Sequence, residues 1–118
     1  MAVRPIKLST IKQILDADVI TGGELLDIEI NSGFGCDLMS DSLCFSRPEC
    51  LLITGLTNIQ IIRVADMIEA KAILFVRGKR PGQEIIRLAN EKKLPLLVTN
   101  RFLFESCGLL YQHGLRSS

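Results

Sequence analysis

Leu51-Leu52-Ile53-Thr54-Gly55, Ala72-Ile73-Leu74-Phe75-Val76 and Leu96-Leu97-Val98-Thr99 are three apolar runs separated by two amphipathic stretches, and the segment Leu51–Thr99 that they punctuate decides the fold. Short apolar runs alternating with helix-period segments predict consecutive parallel strands joined by helices. The middle run carries no polar residue, as a central strand covered on both faces requires. In the first connection Ile61, Ile62, Ala65 and Ile68 share a face opposite Arg63, Asp66 and Glu69. A helix from Thr57 to about Ala70 follows, with Thr57 and Gln60 at capping-box spacing. In the second, Pro81 suits the first helical turn, Glu84 lies near the positive end of the dipole, and Ile85, Leu88 and Ala89 form the apolar stripe. The reading is a single α/β domain over residues 1–118, three layers α/β/α around a mostly parallel sheet.

The flanking sequence is read outward from this core. Ile11, Ile14 and Leu15 predict a short helix, with Thr10 and Gln13 at capping-box spacing. Val19-Ile20-Thr21 predicts a short strand stopped by Gly22-Gly23, and Asp27–Asn31 alternates as a half-exposed strand near a sheet edge does. Gly33-Phe34-Gly35-Cys36-Asp37 begins like a dinucleotide fingerprint, but Leu38 stands one residue on, where no third glycine follows. A glycine turn is the expectation there, with Asp37 capping a short helix to about Phe45 and Ser46–Glu49 forming a surface turn. At the other end Asn100 is expected to cap a helix to about Gln112. Phe102, Leu103, Phe104, Cys107, Leu109, Leu110 and Tyr111 are spread around it. A helix apolar on several faces is buried on several faces. A second subunit is one cover, giving a homodimer interface of Phe102, Leu103, Leu110 and Tyr111. Burial between sheet and N-terminal segment is the other.

Composition narrows the function classes. The 118 residues are 47% hydrophobic, enough for a core, and the net charge of +1 gives no electrostatic case for nucleic acid. No apolar run approaches the roughly 18 residues of a membrane span. Met1–Pro5 lacks the apolar stretch of a signal peptide, so a cytoplasmic location is expected. The four cysteines, Cys36, Cys44, Cys50 and Cys107, form no C-x-x-C. Their spacing matches no metal or iron–sulfur pattern, and free thiols in a reducing compartment are the simpler reading. No metal and no cofactor is expected.

Each strand of the core ends in polar or basic residues, and in parallel sheets ligands bind at the carboxyl ends of strands. The predicted ligand-binding set is therefore Thr54, Gly55, Thr57, Asn58, Arg77, Gly78, Lys79, Arg80, Thr99 and Asn100. The basic turn suits a phosphate or carboxylate, and the helix starting near Pro81 adds free N–H groups. A solvated turn and ordinary helix caps are the competing readings of the same residues. No catalytic residue is assigned. Asp37, Ser40 and Asp41 offer carboxylates without shown convergence, His113 stands outside any motif, and Ser106 beside Cys107 lacks a nucleophile elbow.

With these residues laid out, the chain resembles the DRTGG domain family over nearly its whole length. The resemblance rests on Leu51–Gly55 followed by Asn58-Ile59-Gln60, on Ala72–Val76 with Gly78 and Pro81, and on Pro95–Thr99 with Phe104-Glu105. Gly35 to Leu43, with Ser40-Asp41, looks like the matching region of the N-terminal domain of HPr kinase/phosphorylase, which shares this fold. The resemblance implies a three-layer α/β domain, 1–118, of a regulatory kind, found in relatives beside CBS pairs, phosphate acetyltransferase or a kinase domain. The kinase chemistry belongs to a P-loop domain, and no G-x-x-x-x-G-K-[ST] occurs here. Three functions stay open. The first is a non-enzymatic regulatory domain sensing an anionic small molecule or nucleotide, as a homodimer. The second is a protein-interaction or accessory subunit using the apolar last helix. The third is a thiol, redox or metal-binding protein.

Overall fold

The computed structural model of the chain describes residues 5–38, 41 and 47–117. In chain order the elements are β1 (Ile6–Lys7), α1 (Leu8–Leu15), β2 (Asp18–Thr21), a 3-10 turn (Gly23–Leu25), β3 (Glu29–Ile30) and β4 (Ser32–Gly35). They continue with β5 (Cys50–Thr54), α2 (Gln60–Met67), β6 (Ala72–Phe75), α3 (Gln83–Glu91), β7 (Leu96–Val98) and α4 (Leu103–Gln112). The main sheet has the order β2-β7-β6-β5-β4. β4, β5, β6 and β7 run parallel, and β2 lies antiparallel on the β7 edge with a bulge between Val19 and Thr21.

The sheet is covered twice. Leu51, Ile53, Leu74 and Leu97 face α1 and α4 and pack with Leu8, Ile11, Leu15 and Leu110. Leu52, Ile73, Phe75, Leu96 and Val98 face the other way, onto Ile61, Ile62 and Ala65 of α2 and Ile85 and Ala89 of α3. Alternate residues of one strand thus feed two separate cores, which is why the runs read as continuously apolar. The mostly parallel three-layer reading and the helix faces around Ile61 and Ile85 hold.

Several local readings are corrected. The glycine segment is not a turn: Ser32–Gly35 is the edge strand β4, paired in parallel with Cys50–Ile53. Its glycines are required by packing rather than by backbone angle. A Cβ on Gly35 would stand 2.7 Å from Cys107 Sγ and 3.4 Å from Leu103 Cδ1, and one on Gly33 would stand 3.0 Å from Leu115 Cδ2. Bare backbone there lets α4 and the C-terminal segment lie directly on the strand. The segment around Asp27–Asn31 contributes β3, which pairs antiparallel with β1 in a separate ribbon rather than at an edge of the main sheet.

The helix starts also move. α1 begins at Leu8 behind Lys7, which makes no side-chain cap, so Thr10 lies inside the helix. α3 begins at Gln83 with Gly82 at the N-cap, leaving Pro81 buried just ahead of it. α4 begins at Leu103 behind Phe102, not behind Asn100. At α2 the capping oxygen is Asn58 Oδ1, which accepts from Gln60 N at 3.0 Å. The expected helix from Asp37 to Phe45 falls largely on residues 39–40 and 42–46, outside the described residues.

The edge strand gives a stability test. Gly35→Ala is expected to cost about 1–3 kcal/mol, the usual cost of overpacking, read by urea unfolding. Cys107→Ala in the same chain should return part of that loss, a non-additive pair in a double-mutant cycle.

Candidate functional site: the carboxyl rim of the sheet

Parallel pairing sets the exits of β7, β6, β5 and β4 side by side along one rim. At the β5 exit Thr54 is fully buried, and its Oγ1 donates to Asp37 Oδ1 at 2.9 Å while accepting from Leu56 N at 3.1 Å. Gly55 N donates to the same Asp37 oxygen at 2.8 Å. Asp37, two residues past β4, therefore ties the β4 exit to the β5 exit.

At the β6 exit Arg77 and Gly78 both take left-handed backbone angles, with φ of 60° and 65°. Their amides hold the turn: Arg77 N donates to Arg101 O and Gly78 N to Thr99 O, each at 2.8 Å. At the β7 exit Thr99 is buried, and its Oγ1 donates to Leu15 O at 2.8 Å and accepts from Arg101 N at 3.3 Å. The Arg77 guanidinium lies back over the β5 exit. A Cβ on Gly55 would stand 2.5 Å from Arg77 Nη2 and 3.1 Å from Nε, so only glycine admits that approach.

The predicted ligand set is thus gathered on one rim but in unequal states. The hydroxyls of Thr54 and Thr99 are internal ties, and Asn58 caps α2. Arg80 pairs with Asp18 at 2.8 Å across an exposed surface. Arg101 pairs with Glu105 at 3.1 Å, and its Nε is buried without a partner among the described residues. Arg77 and Lys79 remain exposed with no carboxylate in ion-pair range among those residues. Asp37 and Arg101 belong to the rim and stood outside the predicted set. Once Gly33-Phe34-Gly35 is recognised as a strand, Asp37 becomes a strand-exit residue like the others.

The remaining candidates lie elsewhere. His113 Nδ1 is 2.8 Å from Leu109 O at the far end of α4 from Arg101. Ser106 is sealed inside, with Oγ unpartnered among the described residues. Asp41 N donates to Leu38 O, and Ser40 and Cys44 lie outside the described residues. Among the described residues no group of three or more His, Cys, Asp or Glu could hold a metal ion, and no helix is long and apolar enough to cross a membrane. A cleft of about 330 Å³ opens at the opposite, amino end of the strands, lined by Leu25, Ile28, Asp66, Lys71, Lys92 and Pro95. Part of its polar lining is engaged: Lys92 pairs with Asp66, and Lys71 Nζ donates to Glu29 O, while Glu69 and Lys93 also line it. Of the predicted interface residues, Leu110 is in the chain's own core and Leu103 packs against it. Phe102 and Tyr111 are exposed, together with Phe104.

The thiols differ in state. Cys36 is half-buried, with its thiol donating to Leu38 O at 3.2 Å, and Cys50 is buried. Burial pushes the Cys107 thiol up from its ordinary value of 9.0. A raised folded value favours the protonated thiol, so this contribution is complete below the unfolded value and is lost as pH rises through the folded one. Stability should therefore fall with pH above about 9.0, and Cys107→Ala should flatten that part of the profile. Mass spectrometry after brief iodoacetamide treatment should find Cys36 modified ahead of Cys107.

The sequence model of the DRTGG domain matches residues 10–112. Among solved structures, that of the CBS and DRTGG domains of the regulatory region of Clostridium perfringens pyrophosphatase, complexed with the activator diadenosine tetraphosphate, has the same fold. The TM-score is 0.73 at 18% identity, over 95% of this chain and 51% of that one. The chain therefore spans about half the length of that relative. No curated protein matches.

Proposed function

Because the chain belongs to the DRTGG domain family, we propose that residues 1–118 act as a regulatory domain without catalytic activity, sensing a small anionic ligand at the carboxyl rim. The observation that carries this reading is the pair Arg77 and Lys79, exposed and unpaired among the described residues, beside the Thr54–Gly55 exit. An unpaired guanidinium next to fixed backbone and hydroxyl donors suits a phosphate. The nucleotide class is favoured by the fold-sharing pyrophosphatase region, whose structure holds diadenosine tetraphosphate. Arg77, Gly78, Lys79 and Asn100 would meet the ligand from one side, and Gly55 and Thr57 from the other.

Thermal unfolding tests it. ATP and diadenosine tetraphosphate should raise the Tm and adenosine should not. A hundredfold excess over Kd contributes about 2.7 kcal/mol, worth several degrees. Arg77→Ala and Lys79→Ala should weaken binding, and added salt should weaken it further. No shift with any phosphorylated compound sinks the ligand reading.

A second reading rests on α4. Phe104, Gly108 and Tyr111 fall at i, i+4 and i+7, and Phe104 is 92% exposed, Phe102 66% and Tyr111 58%. Arg116 lies over the Tyr111 ring at 4.0 Å, and aromatic side chains bury about 150–250 Å² each when covered. A homodimer through this face is the favoured cover, and a different protein partner is the alternative. Light scattering should give a dimer that Phe104→Glu converts to monomer. A monomeric wild-type chain at high concentration leaves the face to another protein.

A further inference from the structure

We propose that the Thr54 hydroxyl and Gly55 amide form an oxyanion seat which the chain's own Asp37 occupies, and that a phosphate or carboxylate ligand enters by displacing it. The inference rests on the proposed ligand site and names how that site is gated. Two donors converge on one oxygen: Thr54 Oγ1 at 2.9 Å and Gly55 N at 2.8 Å from Asp37 Oδ1. Their directions are fixed independently of the carboxylate. Leu56 N donates to Thr54 Oγ1 at 3.1 Å, which turns the hydroxyl hydrogen outward. Both residues are buried at the end of a central strand, so the seat persists when its occupant leaves. Asp37 is exposed, on the edge-strand side, and can leave into water.

The seat also shows what it takes. Its present occupant is an oxyanion, so a carboxylate or a phosphoryl oxygen fits the same two donors. The Arg77 guanidinium lies over Gly55 yet makes no ion pair with Asp37. Asp37 therefore uses the donors and leaves the cation unneutralised. A phosphoryl group has three oxygens and spans both the seat and the guanidinium, an advantage the internal carboxylate lacks. Displacement would release Asp37 from the β5 exit while Cys36 N keeps its bond to Ile53 O at 3.0 Å. Ligand arrival would thereby become a change at the edge of the domain.

The test compares ATP binding by calorimetry in wild type, Asp37→Ala, Asp37→Asn and Asp37→Ala with Thr54→Val. An internal competitor lowers apparent affinity by the fraction of seats it leaves open. Asp37→Ala should therefore bind ATP about tenfold tighter than wild type, Asp37→Asn should fall between, and Thr54→Val should remove the gain. The Gly55 amide resonance should move on ATP addition to the wild-type chain. Should Asp37→Ala not fold, Asp37→Asn carries the same comparison. Wild-type binding with no gain in either Asp37 variant overturns the gate and leaves the ligand reading standing. No binding in any form overturns both.

Discussion

The structure depends on covering both faces of one short parallel sheet. Residues 51–54, 72–76 and 96–99 are buried without exception, and neighbours along each strand point into opposite cores. Leu74 belongs with Leu8 and Leu110, while Phe75 belongs with Ile61 and Ile85. No charged side chain can be placed along such a strand without burying an uncompensated charge. Charge is therefore expelled to the strand ends, and parallel pairing makes all the carboxyl ends one rim. The gathering of Asp37, Arg77, Lys79 and Arg101 there is a consequence of burial before it is anything else.

What distinguishes the rim from the opposite end is how its backbone is satisfied. The chain leaving β7 bonds to the β6 turn, Thr99 O and Arg101 O accepting from Gly78 N and Arg77 N. It then reaches β4, where Leu103 approaches Gly35. A left-handed arginine costs about 1–2 kcal/mol of backbone strain, and the two amide bonds offset it. The exposed side chain lies with its guanidinium over Gly55. At the amino end Lys71 and Lys92 engage a carbonyl and a carboxylate locally. The amino end holds the open cleft of about 330 Å³, and the carboxyl rim holds the converging donors of Thr54 and Gly55. Recognition of a small anion rests on charge and convergent donors, and the rim brings Arg77 close to the Thr54 and Gly55 donors.

The sequence shows the strands most clearly where burial is complete. Val76 and Thr99 differ from the observed strand ends by one residue, because apolar runs have sharp ends. Gly33-Phe34-Gly35 carries no such signal. Two of its residues have no side chain to show a period, and their necessity comes from Leu103, Cys107 and Leu115, some 70 to 80 positions away. The rim suffered accordingly. Without β4, nothing in the local sequence marks Asp37 as a strand exit. The start of α1 departs from its local capping signal for a related reason. Thr10 had capping spacing in sequence, yet α1 starts straight after β1, whose pairing with β3 fixes Lys7 in extended backbone. Tertiary position outweighed local preference. The last helix was legible as over-apolar, but which of its faces stays open depends on the path over Gly35, and that path cannot be read locally.

That path joins the carboxyl rim to the exposed face of α4. α4 begins two residues after Arg101, whose carbonyl holds the Arg77 amide and whose guanidinium holds Glu105 on the same helix. One turn later Cys107 rests on Gly35, and Gly35 lies two residues before Asp37. The outward aromatic Phe104 stands between these contacts. A partner pressing on Phe104 therefore acts on an element whose first turn touches both the cation side and the carboxylate side of the rim. No side chain separates α4 from β4 at Gly35, so close packing leaves the helix little room to move without shifting the strand. The rim and the exposed face of α4 thus share rigid parts. Here the shared part is the first turn of α4, and the glycines of β4 are what allow it to lie there.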